Sequence, residues 1–164
     1  MANLRLNLAD PSTFRNAINK IRATKGKVTE AHDKIITEIT EELVSTIKAN
    51  ARIMLEGVSW AEESIHATYI RGADGLLIGQ VWGEDYLVYI EYGTGPEGAG
   101  HPNPDKPSGW TYSNKKWVYY DEHKGFVTTA GQAPRPFIRK SIREMQKKAN
   151  KKAEVVFYEW IAKT

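Results

Sequence analysis

From Ile35 to Leu55 an apolar residue returns at every fourth position: Ile35, Ile39, Leu43, Ile47, Ala51 and Leu55. Spacing of this kind suits a helix that buries one stripe, and Ile36 and Met54 widen that stripe. Glu38, Glu41, Glu42 and Lys48 fall elsewhere around it. The helix is expected from about Thr29 to Glu56, closed by Gly57, and roughly 40 Å long. That is long for a small domain, so part of its face is expected to bury against another subunit.

The whole chain, 1–164, reads as one domain. Residues 1–27 form an arm with a short helix that starts at Asp10-Pro11, carries Phe14, Ile18 and Ile21, and ends at Gly26. The long helix takes 28–57 and a sheet takes 64–92. In that sheet Ser64 to Arg71 and Leu76 to Trp82 should pair as an antiparallel hairpin through Gly72-Ala73-Asp74-Gly75. Tyr86 to Tyr92 is strongly β-prone and is expected as a third strand. Residues 93–116 form a long loop, since Gly93 to Asn114 holds five glycines and four prolines. Trp117 to Tyr120 and Phe126 to Thr129, within 117–129, are two further strands. A C-terminal helix takes 135–163, its seam marked by Ile138, Ile142, Met145, Ala149, Val156 and Trp160. The expected class is α+β. A curved antiparallel sheet of about four to five strands packs with the long N-terminal helix and the C-terminal helix, beside a long Gly/Pro-rich loop.

Charge is unevenly placed. Arg135 to Lys152 carries eight cations against the single acid Glu144, a net of +7, which leaves −4 of the chain's +3 to the rest. Arg139, Arg143, Lys147 and Lys151 form a basic stripe at i, i+4 spacing. A basic end on a mildly acidic body suits head-to-tail contact between copies, or contact with DNA. No apolar run is long enough to cross a bilayer, and Met1 to Pro11 does not read as a secretory signal. The absence of cysteine excludes disulfides and thiolate metal sites.

No constellation of reactive side chains stands out in the chain. Gly93-Thr94-Gly95-Pro96-Glu97-Gly98 matches G-x-G-x-x-G literally, but Gly100, Pro102, Pro104 and Pro107 argue against the helix that must open at the third glycine. His32, His66, His101 and His123 have no partner at metal-ligand spacing; Glu97, His101 and Asp105 read as solvated loop polars. Glu84, Asp85 and Glu91 do not form an acid–base pair, and no nucleophile stands with a base. No cofactor is implied. Trp82, Tyr86, Tyr89 and Tyr92 read as sheet core. The basic helix, with Trp110, Tyr112, Trp117, Tyr119 and Tyr120 nearby, leaves a small nucleic-acid-binding module as the alternative.

Two punctuated segments remain. In Tyr89-Ile90-Glu91-Tyr92-Gly93-Thr94-Gly95, Gly93 and Gly95 permit a sharp exit and Thr94 can bond the local backbone. In Ala133-Pro134-Arg135-Pro136-Phe137-Ile138-Arg139, Pro134 and Pro136 hold the approach extended and then start the helix, while Phe137 anchors it on the sheet. Arg135 and Arg139 then lie at a helix N-terminus, where cations are unfavourable, so an acidic counterpart is expected: Glu91, or a carboxylate on a neighbour.

With these two motifs in this order, residues 30 to 160 resemble the tail-completion (head–tail joining) proteins of long-tailed bacteriophages. That resemblance implies a non-enzymatic virion protein of the phage neck, made in the bacterial cytoplasm. It implies self-assembly into a ring, commonly a hexamer, that joins the head connector or stopper to the tail tube. DNA passing through the ring would meet Arg139, Arg143, Lys147 and Lys151, or these residues would seat against an acidic neighbour. The long 93–116 loop is where the chain departs from compact relatives.

Overall fold

The computed structural model describes residues 11–56 and 59–162. The expected Asp10 cap and Gly57 stop lie outside that range. The elements are α1 (Pro11–Met54), α2 (Ser59–Ser64), β1 (His66–Arg71), β2 (Leu77–Trp82), α3 (Tyr86–Tyr92), α4 (Gly95–Gly100), β3 (Trp117–Asp121), β4 (Gly125–Thr129) and α5 (Phe137–Ala162).

α1 does not stop at Gly26. It runs unbroken for 44 residues, about 66 Å. A glycine inside a helix costs about 1 kcal/mol relative to alanine, which the bonded turns on both sides absorb. The helix leaves through Glu56, whose φ of 54° is the left-handed turn usual beyond a helix end. α5 lies antiparallel against α1. Near its start, the Asn50 amide donates to the Ser141 hydroxyl at 2.8 Å and to Glu144 at 3.2 Å. Two turns further along, Lys152 reaches Glu42 at 2.7 Å. Both Asn50 and Ser141 are buried, so their mutual bond satisfies groups that water cannot reach.

The β1–β2 hairpin forms as expected, in the register His66↔Trp82 to Arg71↔Leu77. It lies over α1, with Arg71 paired to Asp33 at 2.5 Å. At Gly79 the β2 backbone lies so close to α1 that a Cβ would run into the Thr40 side chain. The β3–β4 hairpin also forms, from Trp117↔Thr129 to Asp121↔Gly125.

The single sheet of about four to five strands is not present. The described strands make two separate two-stranded ribbons. The reason is Tyr86–Tyr92, which folds as helix α3. Leu87, Ile90 and Glu91 are its buried residues, at i, i+3 and i+4, so the segment buries one helical face and not one face of a pleat. The long loop also contains order: Gly95–Gly100 is a short helix with Pro96 in its first turn.

The main core gathers Ile47 and Ala51 of α1 with Leu55 just beyond its end, Ala61 of α2, Ile65 between α2 and β1, Leu87 and Ile90 of α3, and Phe137 of α5. Phe137 therefore anchors α5 in a helical core and not on a sheet.

Candidate functional site: the junction of the two motifs

The two motif segments meet. Thr94 and Gln132 form an antiparallel bridge, the Thr94 N–H donating at 2.9 Å and the Gln132 N–H returning at 3.2 Å. The Glu97 N–H donates to the Ala130 carbonyl at 3.0 Å, and the Arg135 N–H to the Ile90 carbonyl at 2.8 Å. Gly93 (φ 77°), Gly95 (φ 63°) and Gly131 (φ 88°) occupy backbone conformations that side chains resist. Space excludes side chains there as well. A Cβ on Gly93 would sit 2.8 Å from the Gln132 carbonyl and 2.8 Å from Pro134; one on Gly131 would strike the Thr94 carbonyl. Trp117 closes over Gly95 in the same way. The Thr94 hydroxyl does not cap α4, so its main chain, and not its side chain, holds the turn.

Glu91 is the buried charge of this junction, only 2% exposed. Its two carboxylate oxygens accept from the Ile138 N–H at 2.8 Å and the Arg139 N–H at 2.9 Å. These are orphan donors of the first turn of α5, where Pro136 offers no capping side chain. A carboxylate from a distant helix thus takes the place of a local cap and faces the positive end of the helix dipole. Burial pushes the Glu91 carboxyl above its ordinary range, while the two N–H groups and the Arg139 charge pull it back.

The counterpart expected for the two arginines divides three ways. Glu91 is committed to backbone. Arg139 donates to the Tyr92 hydroxyl at 3.2 Å and lies 3.7 Å from Asp105. Arg143 pairs with the same Asp105. Arg135 is exposed and has no carboxylate partner among the described residues. Lys147 and Lys151 are exposed and likewise unpaired there; the lysine that reaches α1 is Lys152.

Asp105 owes its position to Asn103, which sequence reasoning passed over, and to a loop held by Trp110 and Tyr112, which were read there as aromatics beside the basic helix. The Asn103 side chain accepts from the Asp105 N–H at 2.9 Å and donates to the Glu91 carbonyl at 3.0 Å. The Tyr112 hydroxyl donates to the Tyr92 carbonyl at 2.9 Å. Trp110 packs its ring against Tyr89 and Tyr92, with centroids 5.5 and 5.3 Å away. Residues 101–112 thereby fold back onto α3. The signal was Asn103-Pro104-Asp105, an Asx-turn sequence. Trp82 and Tyr89, read as sheet core, are more than half exposed.

Chemically the site binds its own chain. Among the described residues no cluster of three or more His, Asp or Glu could hold a metal ion, and Asp105 is engaged by cations. α4 opens at Gly95, not at the third glycine, and spans six residues. No described helix is long and apolar enough to cross a membrane. No protein-family model, no curated protein and no solved structure matches the chain.

Proposed function

We propose that the chain is a tail-completion, head–tail joining component of a long-tailed bacteriophage, a structural subunit of a ring at the virion neck. In this reading it performs no catalysis and needs no cofactor. It is made in the bacterial cytoplasm and ends in the virion, between the head connector or stopper and the tail tube. One observation carries the reading. The two segments on which the resemblance rests, far apart in sequence, are joined by main-chain hydrogen bonds and by the Glu91 cap on α5. A joint of that kind fixes the angle between elements, which is what a ring subunit requires. Ring closure is heterologous, with unlike surfaces meeting around the axis, and a hexamer is the expected count.

The test is a nonsense mutation in the phage gene. Filled heads and separate, unjoined tails are expected; normal infectious particles would sink the assignment.

A second reading has its own support. Lys140, Lys147, Lys148 and Lys151 are exposed on α5 and lack carboxylate partners among the described residues, so they are available to phosphates. Under a nucleic-acid-binding module, the monomer would retain oligonucleotides with an affinity that falls steeply with salt. Under the ring reading, the same lysines meet DNA only in passing.

A further inference from the structure

Arg135 differs from every other arginine from Arg52 onward. Arg52 pairs with Glu62, Arg71 with Asp33, and Arg139 and Arg143 with Asp105. Arg135 has no carboxylate among the described residues, yet it is held firmly: prolines flank it, and its N–H is bonded to the Ile90 carbonyl. A cation with a fixed backbone has already lost part of the freedom that an ion pair would cost.

This cation borders a cleft of about 290 Å³ walled by Trp60, Tyr86, Tyr89 and Gln132. Trp60 and Tyr86 stand edge to face, their centroids 4.4 Å apart, and the Tyr86 hydroxyl is tied to the Trp60 carbonyl. Trp60 is 50% exposed and Tyr89 52%. Aromatic walls beside one unpaired guanidinium suit a ligand that pairs apolar surface with a carboxylate.

The far end of α5 presents such a surface. Val155 and Tyr158 are 48% and 61% exposed, and helical spacing sets them on one face with the exposed acids Glu154 and Glu159. Within one chain the two surfaces cannot meet. Arg135 precedes α5, and Glu159 lies about 35 Å further along the same helix. They can meet only between copies.

We infer that the Arg135 cleft is the receiving half of a head-to-tail contact whose inserted half is the Glu154–Glu159 end of α5 from a second copy. The inference rests on the ring reading and gives that ring its repeating joint. Because the two halves are unlike and lie far apart on one copy, each copy can receive one neighbour and insert into another, so the contact can repeat around an axis.

Charge reversal tests it. The full-length chain is compared with Arg135→Glu, with Glu154→Arg/Glu159→Arg, and with the three changes combined, by native mass spectrometry and sedimentation. Circular dichroism and melting temperature confirm that each variant folds, which the exposure of all three positions favours. Each reversal alone is expected to weaken self-association about tenfold or more, and the combination to restore most of it. Arg135→Glu acting while the α5 reversal does nothing would overturn the contact by giving the cleft another occupant. Assembly indifferent to both reversals would remove this contact and leave the ring reading intact. A wild-type chain that stays monomeric up to about millimolar concentration removes the contact too, and the fate of the ring reading then lies with the phage experiment.

Discussion

Gly93 and Gly125 hold nearly the same positive φ, 77° and 73°, in opposite surroundings. Around Gly93 a Cβ would meet a carbonyl and a proline ring; around Gly125 nothing lies within 4 Å. The two positions summarise two regions. The junction of α3 and α5 is closed, with backbone groups bonded across it and a carboxylate buried inside. The β3–β4 ribbon is open. Among the described residues its strands make backbone hydrogen bonds only to each other, and Val118, Tyr120 and Phe126 share an outer face at 58%, 66% and 82% exposure. Two strands alone are marginal in water. The contrast teaches that this chain spends its specificity on one internal angle and leaves its ribbon as surface.

The sharpest break of that contrast uses two phenylalanines. Phe137 is fully buried in the core that receives α5, whereas Phe126 is the most exposed large apolar side chain described. Phe137→Ala should cost about 3–5 kcal/mol in urea unfolding. A loss below about 1 kcal/mol would mean that the junction is not closed as described.

Glu91 comes next. Glu91→Ala leaves two part-buried N–H groups without their acceptor and should cost about 2–4 kcal/mol. The pH dependence has a definite sign. Burial raises the folded carboxyl above its ordinary 4.5. Between that value and the raised one, the folded state holds the proton more tightly than the unfolded state. Stability contributed by the protonated form is therefore complete below the ordinary value and is lost as pH rises through the raised one. Subtracting the unfolding profile of Glu91→Gln from that of the wild type should isolate this fall. A difference that rises with pH instead would show that the two N–H bonds and Arg139 outweigh burial.

Part of this was readable beforehand, and the division has physical causes. The stripe from Ile35 to Leu55 and the seam of α5 span many turns, so their period is unambiguous. The hairpins carry turn residues at Gly72–Gly75 and Asp121–Gly125. Tyr86–Tyr92 failed because seven residues satisfy two periods at once. Its β-prone composition favours a strand, whereas Leu87, Ile90 and Glu91 suit a helical face. Tertiary contact decided: only the helix brings Glu91 to α5 while Leu87 and Ile90 enter the core. Gly26 failed for a related reason, since one exposed glycine cannot outweigh a helix bonded on both sides. The junction was legible as two special segments but not as one site. Nothing local in either segment says that Glu91 caps a helix beginning at Phe137, or that Asp105 gathers Arg139 and Arg143.

A smaller effect separates the two glycines. Gly93→Ala must strain φ and displace a backbone carbonyl, so about 2–3 kcal/mol is expected. Gly125→Ala meets open space and strains φ alone, at about 1 kcal/mol. Thermal unfolding of both variants measures the difference directly. Equal losses would mean that close packing at Gly93 adds nothing beyond the dihedral.

The least effect on stability is expected at Phe126. Its ring touches Tyr120 edge to face at 5.5 Å and is otherwise open to water. Phe126→Ser removes that cross-strand pair, worth about 0.2–1 kcal/mol, and little else. The folded chain should barely register it in a urea titration. If the change instead destabilised the isolated chain by as much as Gly93→Ala does, the outer face of the ribbon would have to be covered from within the same molecule. The opposition between a closed joint and an open ribbon would then fail at its open end.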